Sequence, residues 1–291
     1  MFKLIQCAEN TYYLDSYAKV GVYDLGNNEV MLIDSCDHKK SVKDLDTALT
    51  ERGWRVKFIV NTHSHLDHIH GNGYFREKYG CEIYAPETER LFVDVLALER
   101  TAYFTAVPMR EPFNPTYIPT GERTKLLTKD ILPDGFDIVS LPGHTLNMVG
   151  IKTPDGVWFT ADAVLAKETF ESYGIPFFLL VNQSIETAGN VAKLEGNYFV
   201  PAHAEASESI KELALYNAEA LMKLKSFIAG IADGRSFEEI LIEADKLMKL
   251  DYYPDKYTKV GVTVKGILQG LIDDGEYTAG IRDGRMVYKK I

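Results

Sequence analysis

The sequence predicts an α/β fold: sheets flanked by helices, followed by a helical region that a β-hairpin closes. Three observations carry this. Through the first two hundred residues, short runs rich in β-branched and aromatic residues alternate with amphipathic helical patterns. From about Ser207 the texture changes to three successive helical patterns and a final hairpin. Hydrophobic residues make up 46% of the 291, enough for a large core, with no low-complexity tract and no repeat of fixed period.

Taken in order, residues 11–14, 20–24 and 30–33 read as strands separated by turn signals such as Gly26-Asn27-Asn28. Residues 41–52 read as a helix with Ser41 as N-cap, Val42, Leu45 and Leu49 on one face, and Gly53 as its stop. A strand over 56–60, a helix over 73–79 and a strand over 82–84 follow. Residues 86–105 read as helical. Residues 106–121 do not: they carry Pro108, Pro112, Pro115 and Pro119 with Phe113 and Tyr117 between them, and a loop of that length is more often functional than filler. Strands return at 138–141, 149–152, 157–160 and 198–200, with a helix at 184–193. The C-terminal helices are expected at 209–231, 237–250 and 257–271. Strands at 277–281 and 286–290 turn at Asp283-Gly284. The expected division is residues 1–205 as the catalytic part and 206–291 as a helical, winged-helix-like part.

The net charge is −10. Residues 205–291 hold 13 Lys+Arg against 15 Asp+Glu, and the rest 19 against 27, so neither part carries the basic excess of a nonspecific phosphate binder. Cys7, Cys36 and Cys81 are odd in number and scattered, which points to reduced thiols and a cytoplasmic setting rather than a disulfide framework. The first ten residues show no secretory pattern, and no run approaches the eighteen or so apolar residues of a membrane span.

The chemistry concentrates in residues 61–72, Asn-Thr-His-Ser-His-Leu-Asp-His-Ile-His-Gly-Asn. His63, His65, Asp67 and His68 fall just past the strand at 56–60, where a scaffold can aim them into a cleft. Imidazole and carboxylate suit zinc, with iron and manganese as alternatives. His144 in Leu-Pro-Gly-His-Thr, Asp162 in Phe-Thr-Ala-Asp-Ala and His203 in Val-Pro-Ala-His-Ala each follow another strand end. Close neighbours on one loop cannot all ligate one ion, so two divalent metal ions per chain are expected. Each is completed by a distant histidine, and Asp162 can bridge them through its two oxygens.

This pattern resembles the metallo-β-lactamase superfamily, whose H-x-H-x-D-H signature is matched by His63, His65, Asp67 and His68, with His144, Asp162 and His203 in the remaining ligand positions. The resemblance covers about residues 1–205. It implies a four-layer αββα sandwich with the metals at one edge of the sheets. It also implies His63, His65 and His144 on one ion, Asp67, His68 and His203 on the other, and Asp162 on both. Asp34, at the end of the strand at 30–33, matches a position that supports the ligands. His70 departs from the glycine of many relatives and is a candidate substrate contact, weighed against a solvent-facing histidine. Phe113, Tyr117 and Tyr173 are further candidates, weighed against plain packing.

The expected activity is hydrolysis of an ester, thioester, lactone or related bond of a small molecule by a hydroxide held between two metals, with Asp67 orienting it. No Gly-x-Ser-x-Gly elbow is present. The chain lacks the cysteine that several secreted antibiotic-degrading members have in place of Asp162, and the glutamate that flavodiiron reductases have in place of His65. Glyoxalase II-like thioesterases share the ligand set, but the basic glutathione contacts of their helical domain cannot be placed in this tail. Two rivals stand beside this reading. One is an endoribonuclease whose C-terminal region binds nucleic acid through Lys265, Arg282, Arg285, Lys289 and Lys290, which the charge balance disfavours. The other is a mononuclear iron dioxygenase acting on a persulfide with the same ligands. A homodimer is left open, with no residue to name for it.

Overall fold

The computed structural model describes residues 2–95, 98 and 124–291. The proline-bearing stretch 106–121, with Phe113 and Tyr117, lies outside the described residues, as does most of the second half of the helix expected over 86–105.

Two sheets are built first. The larger has seven strands in sequence order: β1 (Leu4–Gln6), β2 (Thr11–Leu14), β3 (Val20–Gly26), β4 (Glu29–Ile33), β5 (Arg55–Val60), β6 (Glu82–Ala85) and β7 (Lys125–Leu126). Its first half is an antiparallel meander, and β4 to β7 are parallel. The parallel pairs are joined through helices, as a crossover requires: α1 (Lys39–Glu51) between β4 and β5, then α2 (Leu66–Ile69) and α3 (Asn72–Tyr79) between β5 and β6, with α4 (Glu87–Asp94) following β6. The smaller sheet holds β8 (Asp137–Ser140), β9 (Val149–Lys152), β10 (Val157–Ala161) and β11 (Tyr198–Pro201) in the order β11-β10-β9-β8. Helices α5 (Lys167–Tyr173) and α6 (Val181–Val191) connect β10 to its parallel neighbour β11.

The period-2 pattern decides which face goes where. In β4, Met31 and Ile33 face the second sheet, where they pack with Phe58, Val60, Val149, Ile151 and Phe159. Val30 and Leu32 face the other way, against Val42, Leu45 and Leu49 of α1 and Phe75 of α3. On the far side, Trp158 and Phe199 pack with Ala188 and Val191 of α6 and with Ala214 and Ala218 of α7 (Lys211–Ala232). The layers therefore run helix, sheet, sheet, helix.

After α7 come α8 (Phe237–Met248), α9 (Pro254–Asp273) and a hairpin of β12 (Tyr277–Arg282) and β13 (Arg285–Lys290). Asp283 and Gly284 both take positive φ, 51° and 74°, which suits a tight hairpin turn. This region shares one core with the layers before it. Phe170, Ile175, Phe178 and Val181 are buried with Leu221, Ile228, Leu241, Val264 and Ile267. Hairpin and helices are tied by the Tyr277 hydroxyl, which donates to the Ala229 carbonyl at 2.5 Å, and by Tyr288, buried in the same core. Among the described residues, no helix is long and apolar enough to cross a membrane.

Several boundaries differ from the sequence reading. Helix α1 starts at Lys39 with His38 as N-cap, because Ser41 sits one turn in and accepts from the His38 N–H at 3.2 Å, reversing the usual direction of the cap. Strands β1 and β7 and helices α2 and α5 are short and have no strong period, so they were not anticipated. In α8 the cap is the usual one: Ser236 accepts from Glu239 N–H, and the Glu239 carboxylate accepts from Ser236 N–H at 2.8 Å.

The strand ends meet at one edge. Ile33 pairs with Val60, so Asp34 lies beside Asn61 and Thr62. Ala161 pairs with Pro201, so Asp162 and His203 follow neighbouring ends. The Val149 N–H donates to the Thr62 carbonyl at 3.1 Å and ties the two sheets together at this edge. His144 sits on the loop from β8 to β9, and Gly143 before it has φ +129 with Ser184 backbone atoms 2.5 and 2.6 Å from where a Cβ would stand. Gly143→Ala is expected to cost about 2–4 kcal/mol from strain and overpacking together. Thermal unfolding of the metal-free protein reads this, and an unchanged midpoint would contradict it.

Candidate metal centre

Seven side chains from four loops converge at this edge. One donor atom each of His63, His65, His144 and Asp162 lie within 4.8 Å of one another, and the same holds for Asp67, His68 and His203. Asp162 stands between the two groups. Its Oδ2 is 3.1 Å from His144 Nε2 and 3.4 Å from His203 Nε2, while its Oδ1 is 3.3 Å from His68 Nε2. Ala161, just before it, holds φ +47, a conformation alanine rarely adopts, at the turn that aims Asp162 back over the sheet edge.

Outer hydrogen bonds decide which ring nitrogen faces inward. His144 Nδ1 donates to the Phe177 carbonyl at 3.2 Å, and His203 Nδ1 to the Tyr17 carbonyl at 3.0 Å. His68 Nδ1 donates to Asp34 Oδ2 at 2.8 Å. Asp34 also accepts from the Thr62 N–H and hydroxyl, both at 2.8 Å. Having given its proton to Asp34, the Thr62 hydroxyl accepts from His63 Nδ1 at 3.0 Å. In these four rings Nδ1 is the outward donor, so Nε2 is the nitrogen that faces the centre and can offer its lone pair to an ion in place of a proton.

The consequence is an excess of lone pairs. His65 Nδ1 lies 3.1 Å from His63 Nε2 and 2.9 Å from His144 Nε2, and a single proton on it can satisfy one of these contacts. His68 Nε2 and Asp162 Oδ1 are buried and have no hydrogen-bond partner. A cation satisfies all of these at once, so the donor set fits divalent metal ions. Electrostatics point the same way. Burial, reinforced by neighbouring imidazoles, holds His63 well below the usual histidine range and lowers His65 to about 3. Burial opposes charge on His203 too, but the carboxylates of Asp162 and Asp67 outweigh it and raise it to about 10. His68 is likewise pushed up, against burial, by Asp162 and Asp34. Burial would raise Asp67 and Asp162, yet the facing imidazoles hold both below the usual carboxylate range. Protons here stand where positive ions would.

A cavity of about 900 Å³ opens on the centre. Its walls come from the motif loop (His65, Leu66, Asp67), from α5 and the segment after it (Ser172, Tyr173, Phe177) and from α9 (Asp255, Lys259, Val262). Tyr173 lines it too. His70 does not. Two residues along a helix from His68 it points about 200° away, and it sits near Asp37, His38 and Lys39, where burial lowers its pKa. Four contributors were missed. Thr62 was legible, as the residue between the strand and the motif. The backbone carbonyls of Tyr17 and Phe177 leave no trace in side-chain chemistry. Glu89, 1% exposed, lay among the other charges of α4.

Comparison with known proteins agrees with this geometry. The family model for the metallo-beta-lactamase superfamily matches residues 15–203. Hydroxyacylglutathione hydrolases of Brucella ovis and Brucella abortus are 27% identical over 200 residues, 64% of this chain and 69% of each relative. Among solved structures, a beta-lactamase domain protein from Burkholderia ambifaria aligns with TM-score 0.70 at 14% identity over 99% of this chain and 94% of its own. A metallo-beta-lactamase family protein from Thermus thermophilus gives 0.68 at 17% identity, over 100% and 98%. The metallo-beta-lactamase from Pontibacter korlensis gives 0.55 at 16% identity and covers 76% of this chain and 99% of its own. The first two fold likenesses thus extend through the C-terminal helices.

Asp34→Asn keeps the size and the tolerance for φ +64. It places an amide N–H₂ against donors from Thr62 or His68. Metal affinity is expected to fall by about 10–100-fold, read by competition with a chromophoric chelator. Unchanged affinity would show that Asp34 does not orient the ligands.

Proposed function

Because the chain belongs to the metallo-β-lactamase superfamily and is a metal-dependent hydrolase, we propose that it cleaves an acyl ester or thioester of a small molecule at a centre holding two divalent ions, zinc first among the candidates. The observation that carries this is the pair of donor clusters, with Asp162 in contact with both, opening on a cavity of about 900 Å³. The Brucella relatives are named for an acylated glutathione, and an acyl group carried on a thiol is a thioester; that puts a thioester ahead of a lactone.

In this reading His63, His65 and His144 hold one ion, Asp67, His68 and His203 the other, and Asp162 both. Bound ions supply water acidified towards neutrality and a Lewis acid for the scissile carbonyl oxygen. The rest falls to the chain. Asp67 is the more open of the two inner carboxylates, with 34% of its side chain exposed against 5% for Asp162. It therefore meets water entering from the cavity and orients its proton, while Asp162 stays a buried bridge. Phe177 packs edge-on to His65 and His144, with ring centroids 5.2 and 5.4 Å away, and keeps bulk water from their outer faces. Tyr173, Leu165 and Val262 offer apolar surface to the acyl or leaving group. Lys259 brings a positive charge to the cavity wall. Burial opposes that charge, but Asp255, 2.9 Å away, keeps its pKa raised.

The endoribonuclease reading is not the one we favour, because three of the five tail cations have partners within the chain. Arg282 donates to the Gly234 carbonyl, Arg285 reaches Glu239 at 3.4 Å, and Lys265 lies 4.8 Å over the Phe237 ring. Lys289 and Lys290 are exposed. An iron oxygenase would use the same ligands, and metal content separates it from a hydrolase.

Asp67→Ala is expected to lower kcat/KM on acyl thioesters by about 10²–10⁴-fold. Chelation should abolish wild-type turnover and added zinc should restore it. Full activity in the variant, or turnover that survives chelation, would overturn the proposal.

A further inference from the structure

Glu89 belongs to no metal cluster, yet it is 1% exposed on the first turn of α4. Its two oxygens serve two different loops. Oε2 accepts from the Ser64 N–H at 3.0 Å and the Ser64 hydroxyl at 2.7 Å. Oε1 accepts from the Thr145 hydroxyl at 2.8 Å and the Asn147 N–H at 2.9 Å. Ser64 lies between His63 and His65, and Thr145 follows His144. The carboxylate therefore spans the two loops that meet where His65 Nδ1 lies 2.9 Å from His144 Nε2, residues 79 apart along the chain.

We propose that Glu89 is a positioning residue that holds these two loops at the spacing the His63–His65–His144 ion requires, and so sets that ion's affinity separately from the other's. The inference rests on the two-ion reading above. Its physical basis is the matching of one carboxylate to four donors. Each hydrogen bond to a charged acceptor fixes direction as well as distance, and is stronger than one between neutral groups. Asp67, His68 and His203 lie on the other side of Asp162, and none of the four donors comes from them.

Glu89→Gln tests it. A glutamine of the same length has one acceptor oxygen and one N–H₂ donor. Whichever way the amide sits, the backbone N–H of one loop loses its acceptor and faces a donor instead, while that loop's hydroxyl must turn round to accept. Zinc titration of the metal-free protein against a chromophoric chelator reads both ions. One ion is expected to weaken by about 10–100-fold while the other stays within a factor of about three of wild type. Thr145→Val removes one of the four bonds with little change of shape and should move the same ion in the same direction by less. It keeps the test open if the glutamine variant fails to fold. A merely structural role would weaken both ions together in step with the thermal midpoint of the metal-free protein. That result, or two unchanged affinities in either soluble variant, overturns the proposal. The wild-type titration tests the two-ion reading by itself, and the difference between variant and wild type tests Glu89.

Discussion

The Asp34 carboxylate is the contact on which the rest of the centre depends. It is 3% exposed, at φ +64, where the chain turns sharply out of β4. Through His68 Nδ1 it orients a ligand of one cluster. Through the Thr62 hydroxyl it orients His63 of the other. A single buried charge thereby orients an imidazole in each group with Nε2 turned inward, where a cation can meet several donors at once. Burying such a charge without partners would cost several kcal/mol, and three donors within 2.8 Å offset that cost.

The sheets make this convergence reachable. Parallel β4 and β5 bring Asp34 and the motif loop side by side, and parallel β10 and β11 do the same for Asp162 and His203. Face-to-face packing of the sheets then sets His65 against His144, and Glu89 bridges their loops. The C-terminal helices complete the cavity rather than the metal clusters. Helix α9 passes Leu179 closely enough that a Cβ at Gly266 would fall 2.4 Å from its carbonyl oxygen, so α9 can supply one wall while sharing the core beneath. The cavity's shape therefore depends on residues far along the chain from the ligands.

Much of this was legible in the sequence, for identifiable reasons. Strands with β-branched residues and clear turn signals, such as 11–14 and 149–152, were read within a residue or two because local preference and burial agree there. The four-layer arrangement followed from the family resemblance, and the seven histidines and aspartates were placed past strand ends because each follows a β-branched or aromatic run. What was not legible depends on tertiary contact. Short α2 has one turn and no period. Ser41 looks like an N-cap but serves the helix from its third residue. His70 sits beside the motif in sequence and turns away because helical geometry sends alternate residues to opposite sides. Glu89 is a surface-type residue by composition that becomes buried only when two loops fold over it. The thiols were the simpler case: Cys36 and Cys81 are buried and free, and burial raises both, as fits inert packing.

The most direct test of the account is elemental analysis of the purified protein loaded with metal and desalted, counting zinc, iron and manganese per chain. The account requires two divalent ions per chain, because the lone pairs of two separate clusters must each be satisfied. One ion per chain at saturation, or none, would contradict it, and a single iron would move the chemistry from hydrolysis to oxygen.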